Sequence, residues 1–161
     1  MANALIGGDK LKKKLDDMVK NLGIERSVSV GFHENSKCGW DMDASAPQIA
    51  FIQEFGAPAA HIPPRPFMRT FVQIDSARWG KILGVAVKEK NYNSEQAMGL
   101  LGLAMGEKLQ FVIAKWFSPQ NAPATAIAKG FDDPLKESRN MLRAVGYEVD
   151  KLGRKTVNEE A

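Results

Sequence analysis

With 161 residues, 44% of them apolar and 25% charged, the chain can bury one hydrophobic core and is too short to divide comfortably into two domains. A net charge of +3, from 22 basic against 19 acidic residues, is too balanced for a dedicated nucleic-acid reader, although it permits a weakly basic face or lumen. No stretch approaches the roughly 20 consecutive apolar residues of a membrane helix, Met1 to Gly8 lacks the pattern of a secretion signal, and Cys38, the only cysteine, excludes an intrachain disulfide or a four-cysteine zinc site. The expectation is a single domain over 1–161 with an ordered core over 9–150, made in a reducing cytoplasm and stabilised by packing or by neighbouring subunits.

Asp9 suits a helix N-cap, and Leu11, Leu15, Met18, Val19 and Leu22 recur at the spacing of an amphipathic helix that Gly23 then stops. Lys12, Lys13 and Lys14 lie on that helix, where a solvated face explains them better than a DNA contact. From Ser27 to Phe32, Val28, Val30 and Phe32 alternate with Ser27, Ser29 and Gly31, the pattern of a half-buried strand. The turn-forming residues of 33–45 make a long loop, after which Ile49, Ile52 and Phe55, three apart, favour a short helix over Ala46–Phe55, while Ile49, Phe51 and Phe55 are compatible with a strand.

Gly56 breaks that helix. Prolines 58, 63, 64 and 66 then predict an extended connector from Ala57 to Arg65, because proline fixes its own φ and biases its predecessor away from helix. Pro66 fits the first turn of a long helix to about Lys88, with Phe67, Phe71, Ile74, Ile82 and Val85 as its apolar face. After Asn91-Tyr92-Asn93, Ser94 is the expected cap of a helix through Trp116, apolar on more than one face and therefore central in the fold or covered by another subunit. Gly99, Gly102 and Gly106 inside it predict the close approach of another backbone, since each costs a helix about 1 kcal/mol relative to alanine.

A second long loop spans 118–139. Alternation over Leu142–Val149 then predicts a C-terminal strand pairing with Ser27–Phe32, and the polar segment 152–161 reads as a loose tail.

Chemistry-bearing residues are sparse. His33, Cys38, Asp41, Asp43 and His61 lack the close His or Cys spacing of zinc sites, and a Cys38 nucleophile with His33 or His61 as base would need a third orienting group. No glycine-rich phosphate loop follows a strand. The sequence therefore predicts no catalytic residue, no metal and no cofactor. Arg65 sits between two prolines; a guanidinium so directed suits a carboxylate across an interface or a DNA phosphate, with an intrachain contact near a helix end as the equal alternative.

The segment Ile49-Ala50-Phe51-Ile52-Gln53-Glu54-Phe55-Gly56, followed by Ile62-Pro63-Pro64-Arg65-Pro66-Phe67-Met68-Arg69, resembles the tail-completion and neck proteins of tailed bacteriophages, Mu-like virion morphogenesis proteins included. In them an I-A-x-x-x-E-F-G element precedes an I-P-x-R-P-F-x-R element and a long helix. Asn121 to Gly130, Asp133-Pro134-Leu135 and Met141 to Val149 are similar to a second stretch of that family, with Ser138-Arg139 where the family usually has Thr-Gly. The order and spacing of these matches carry the resemblance over Ser27 to Val149.

The resemblance implies a small α+β fold, a mixed or antiparallel sheet packed by two or three helices, assembling as a ring, commonly hexameric, between head and tail. The implied function is that of a non-enzymatic structural virion protein, a tail terminator, or in the neighbouring alternative a head-closure ring. Its implied partners are further copies of itself, the tail tube protein, the head connector and, non-specifically, DNA passing the lumen, with no membrane. The interface to neighbours is expected at Glu54, Phe55, Gly56, Ile62, Pro63, Arg65, Pro66 and Phe67. A DNA-binding adaptor using Lys12–Lys14 and a small enzyme using His33, His61 or Cys38 are the readings from other classes.

Overall fold

The computed structural model describes residues 8–32, 45–123, 126–127, 130, 135 and 140–151; the sequence expectations for most of the 33–45 and 118–139 loops and for the 152–161 tail lie outside them. In chain order come helix α1 (Gly8–Leu22), strand β1 (Arg26–Phe32), helix α2 (Ala46–Phe55), a 3-10 turn (Pro58–Ala60), the long helices α3 (Phe67–Glu89) and α4 (Ser94–Ala114), a short helical turn α5 (Asn140–Arg143) and strand β2 (Val145–Lys151). The result is a mixed α+β fold in which a two-stranded antiparallel sheet packs against α4.

The strand alternation holds in register. Val28 faces Val149, Val30 faces Tyr147 and Phe32 faces Val145, so the apolar side chains of both strands share the face turned to the core. The C-terminal strand begins later than expected: Leu142 and Arg143 belong to α5, and two residues of apparent alternation there are equally compatible with one turn of helix.

Helix α4 is the centre of the fold, with Leu101, Met105, Leu109, Val112 and Ile113 buried between α3 and the sheet. By length and composition it could cross a membrane, with a mean hydropathy of 1.3 over its best window; here that apolar character serves the core, since a helix packed on two sides is apolar on more than one face. Its cap is Asn93, not Ser94: the Asn93 side chain accepts a hydrogen bond from the Gln96 N–H at 3.0 Å. The helix ends at Ala114, two residues before Trp116.

Of the three α4 glycines only Gly102 meets the expected close approach, and it meets side chains instead of backbone. A Cβ there would lie 2.5 Å from the Tyr147 ring and 2.8 Å from Val28 Cγ2, whereas Gly99 and Gly106 have nothing within 4 Å. Gly102 is thus the seat of the sheet on the helix.

Helix α3 matches its expected span, but its apolar face is shifted. Phe67 and Phe71 are buried while Ile74 and Val85 are half exposed, and the position facing inward is Asp75. Its carboxylate accepts from Trp79 Nε1 at 2.9 Å and Arg78 Nη1 at 3.2 Å, which is how a buried carboxylate is tolerated.

Helix α1 forms as expected, and the backbone N–H of Gly23 closes it onto the Val19 carbonyl at 2.8 Å. Its stripe does not enter this chain's core. Leu11, Leu15, Val19 and Leu22 are 61%, 51%, 71% and 44% exposed, and no α1 residue is buried.

Candidate functional site

The two segments that carry the family resemblance fold into one joint linking α2, α3 and the segment after α4. Helix α2 starts with Gln48 Oε1 accepting from the Ser45 N–H at 3.0 Å and ends at Gly56, whose φ of 77° and ψ of 171° fall in a region that only glycine occupies readily. A Cβ at Gly56 would also lie 2.8 Å from both the Ile62 carbonyl oxygen and the Pro64 nitrogen. Glycine is therefore required there twice over.

The connector from Ala57 to Arg65 is not the extended arm its prolines predict. Ala57 and Ile62 exchange backbone hydrogen bonds of 2.9 and 3.1 Å across the 3-10 turn, with His61 in the left-handed region at φ 53°, so the chain doubles back before running out through Ile62–Arg65. Pro58 opens that turn, a role its fixed φ suits as well as it suits extension.

Glu54 is the principal polar group of the joint. Its buried carboxylate accepts from the backbone N–H groups of Met68 at 2.8 Å and Arg69 at 3.3 Å, the second and third residues of α3. Pro66 at the N-cap has no hydroxyl or amide to offer, and Glu54 supplies a cap from the preceding helix, with its negative charge at the positive end of the α3 dipole. Arg69 closes the arrangement: Nε donates to Glu54 Oε1 at 2.8 Å, Nη2 donates to the Glu54 carbonyl at 3.2 Å, and the guanidinium lies 5.3 Å from the centre of the Phe55 ring.

Arg65 is 4% exposed. Its Nε donates to the Pro119 carbonyl at 3.0 Å, Nη2 to the Gln120 carbonyl at 3.1 Å and Nη1 to Gln53 Oε1, while its own N–H donates to the Gln53 carbonyl at 2.6 Å. The fork ties the chain leaving α4 to the end of α2, the intrachain alternative for this residue, and does not point at solvent as a contact to DNA or to another subunit would require.

The eight residues expected at an interface are thus gathered in one place but face different ways. Glu54, Arg65 and Phe67 are buried, the last with its ring edge-on to Phe32 at 6.0 Å; Gly56, Ile62, Pro63 and Pro66 are half-buried; Phe55 alone is exposed, paired with Phe51 at 4.7 Å between ring centres. Gln53, Arg69 and the Pro119–Gln120 carbonyls complete the joint and were missed in sequence, because a contact between residues 54 positions apart leaves no local periodicity.

The large unpartnered apolar surface lies elsewhere. Besides α1, one side of the α3–α4 pair carries two concavities of about 430 and 370 Å3. Ile82, Val85 and Leu100 line the first, and Ile74, Phe111 and Phe117 line the second, with Phe117 79% exposed. Lys12, Lys13 and Lys14 are exposed on α1.

Among the described residues no three His, Cys, Asp or Glu side chains converge as metal ligands. His61 is exposed at its turn, and His33, Cys38, Asp41 and Asp43 lie outside the described residues. No family model, no curated protein and no solved structure matches the chain.

Proposed function

We propose that this chain is a structural protein of a tailed-phage virion neck, a ring-forming tail terminator or tail-completion subunit that acts by contact and not by catalysis. The observation that carries the reading is the joint. The I-A-x-x-x-E-F-G and I-P-x-R-P-F-x-R segments that resemble neck proteins converge, through Glu54, Arg65 and Arg69, on one buried unit that fixes where α3 starts.

Two further features support self-association. A two-stranded sheet is marginal by itself in water, and the exposed stripe of α1 and the α3–α4 groove are two apolar surfaces that no other described residue covers. The partners proposed are further copies of the chain, the tail tube and the head connector, with DNA passing through the lumen.

Labelling the chain in virions and imaging the neck tests this directly, with density expected as a ring at the head–tail junction. Loss of the gene is expected to give unjoined heads with tails of abnormal length. Tails of normal length beside leaking heads favour the head-closure alternative, and normal infectious particles refute both.

A further inference from the structure

We infer that α1 of one copy lies in the α3–α4 groove of the next, and that this head-to-tail contact builds the oligomer. The inference deepens the ring reading above by naming its interface. It starts from an exposed apolar stripe and an apolar groove edged by charged residues, both on one chain. Leu11, Leu15, Met18 and Leu22 are spaced four, three and four apart along α1, the seam of a helix that packs against other helices. Ile74, Arg78, Lys81, Val85 and Glu89 are spaced four, three, four and four along α3 and so share one side of it, beside Leu100 and Phe111 of α4. From Ile74 to Glu89 that side is about 22 Å long at the helical rise, and α1, with 15 residues, is about as long.

Helix α1 does not fill its own chain's groove. The sheet sits on the Gly102 side of α4, roughly opposite Leu100 and Phe111 at 100° per residue. No α1 residue lines either concavity, and only Gly23, Ile24 and Glu25 separate α1 from β1, which packs on the opposite side of α4. Arg26 Nη2 further pins the start of β1 to Glu95 at 2.7 Å. An α1 seated in the groove therefore comes from another copy, and a contact between two different faces of identical subunits is heterologous, which closes into rings when the rotation permits.

Charge sets the direction. Asp16 and Asp17, near the middle of α1, lie beside Lys81 and Arg78 in either direction, and with its N-terminal end toward Glu89 the helix also brings Lys10 and Lys12 near that carboxylate. The opposite direction sets Lys12, Lys13 and Lys14 beside Arg78 and Lys115. Helix α1 thus runs antiparallel to the neighbour's α3, placing Leu11 by Val85 and Leu22 by Ile74.

The test is disulfide trapping in full-length protein carrying Cys38→Ser. The double variant Leu11→Cys/Val85→Cys is expected to oxidise into a covalent ladder of multimers, as is Leu22→Cys/Ile74→Cys, while Leu11→Cys/Ile74→Cys stays uncoupled. All the altered positions outside Cys38 are at least partly exposed, and the urea midpoint of each reduced variant checks that it folds. A dimer from Leu11→Cys alone, which signals symmetric α1 pairing, overturns the inference; so does cross-linking confined within one chain, or none at all. A ladder from a chain absent from virion necks sinks the neck reading and leaves this interface standing. A ring in the neck without the ladder does the reverse.

Discussion

The joint around Glu54 and the surface of α1 are opposites in how they use their residues. In the joint, the charged side chains of Glu54 and Arg65 are buried and satisfied within the chain: Glu54 caps α3, exposed Arg69 closes on Glu54, and Arg65 gathers Gln53, Pro119 and Gln120. On α1, apolar side chains are exposed and none of the described residues covers them. The segment from Ile49 to Arg69 is scaffold, and the α1 stripe is the apolar surface that this scaffold leaves exposed. On the proposed reading, assembly is therefore sought at α1 and not at the joint.

Substitutions on the two sides should separate stability from assembly. The largest loss of stability is expected from Arg65→Ala, about 3–5 kcal/mol, since hydrogen bonds to a charged group are worth about 1.5–3 kcal/mol each and their carbonyl partners would be left buried. Urea denaturation reads this out, and Arg65→Lys should recover only part of it, because an ammonium cannot reproduce the fork. If Arg65→Ala folds with an unchanged midpoint and loses only head–tail joining, the residue belongs to an interface and the comparison fails.

Glu54→Ala should cost about 2–3 kcal/mol, combining a lost helix cap of about 1 kcal/mol with a stranded backbone donor. That lowers Tm by about 5–10 °C for a chain of this size. An equal loss in Glu54→Gln would show that the charge and the second acceptor oxygen carry the contribution, since glutamine keeps the shape and one acceptor.

Within α4, Gly102→Ala should destabilise by about 1–2 kcal/mol through overpacking against Tyr147 and Val28. Gly106→Ala, with open space around it, should stabilise by about 0.5–1 kcal/mol. Thermal melts of the two variants side by side measure the sign directly. Smallest in stability is Leu15→Asp on exposed α1, within about 0.5 kcal/mol of wild type, yet it should abolish assembly.

Much of the fold was legible because it is local. Period-two alternation located β1 and its pairing with β2, and helical periodicity located α1, α2, α3 and α4 to within a few residues of their observed bounds. What periodicity does not state is what covers a face. The α1 stripe and the α3 positions Ile74 and Val85 were read as core and prove exposed, while Asp75 is buried because Trp79 and Arg78 satisfy it.

The connector was misread for a related reason. Proline and glycine restrict φ, but the same restriction serves a straight arm and a tight turn, and the choice is made by the Ala57–Ile62 pairing. The candidate site was visible as a string, and its internal character was not, because the partners of Arg65 lie some 54 and 55 positions away.

Native mass spectrometry of wild-type protein beside Leu15→Asp tests the central claim most directly, that the surface outside the joint makes this chain the subunit of a closed assembly. The expected result is one oligomer of fixed subunit number for wild type and a folded monomer, with an unchanged urea midpoint, for Leu15→Asp. A wild-type chain that stays monomeric at every concentration, or a Leu15→Asp oligomer of the same size, contradicts it.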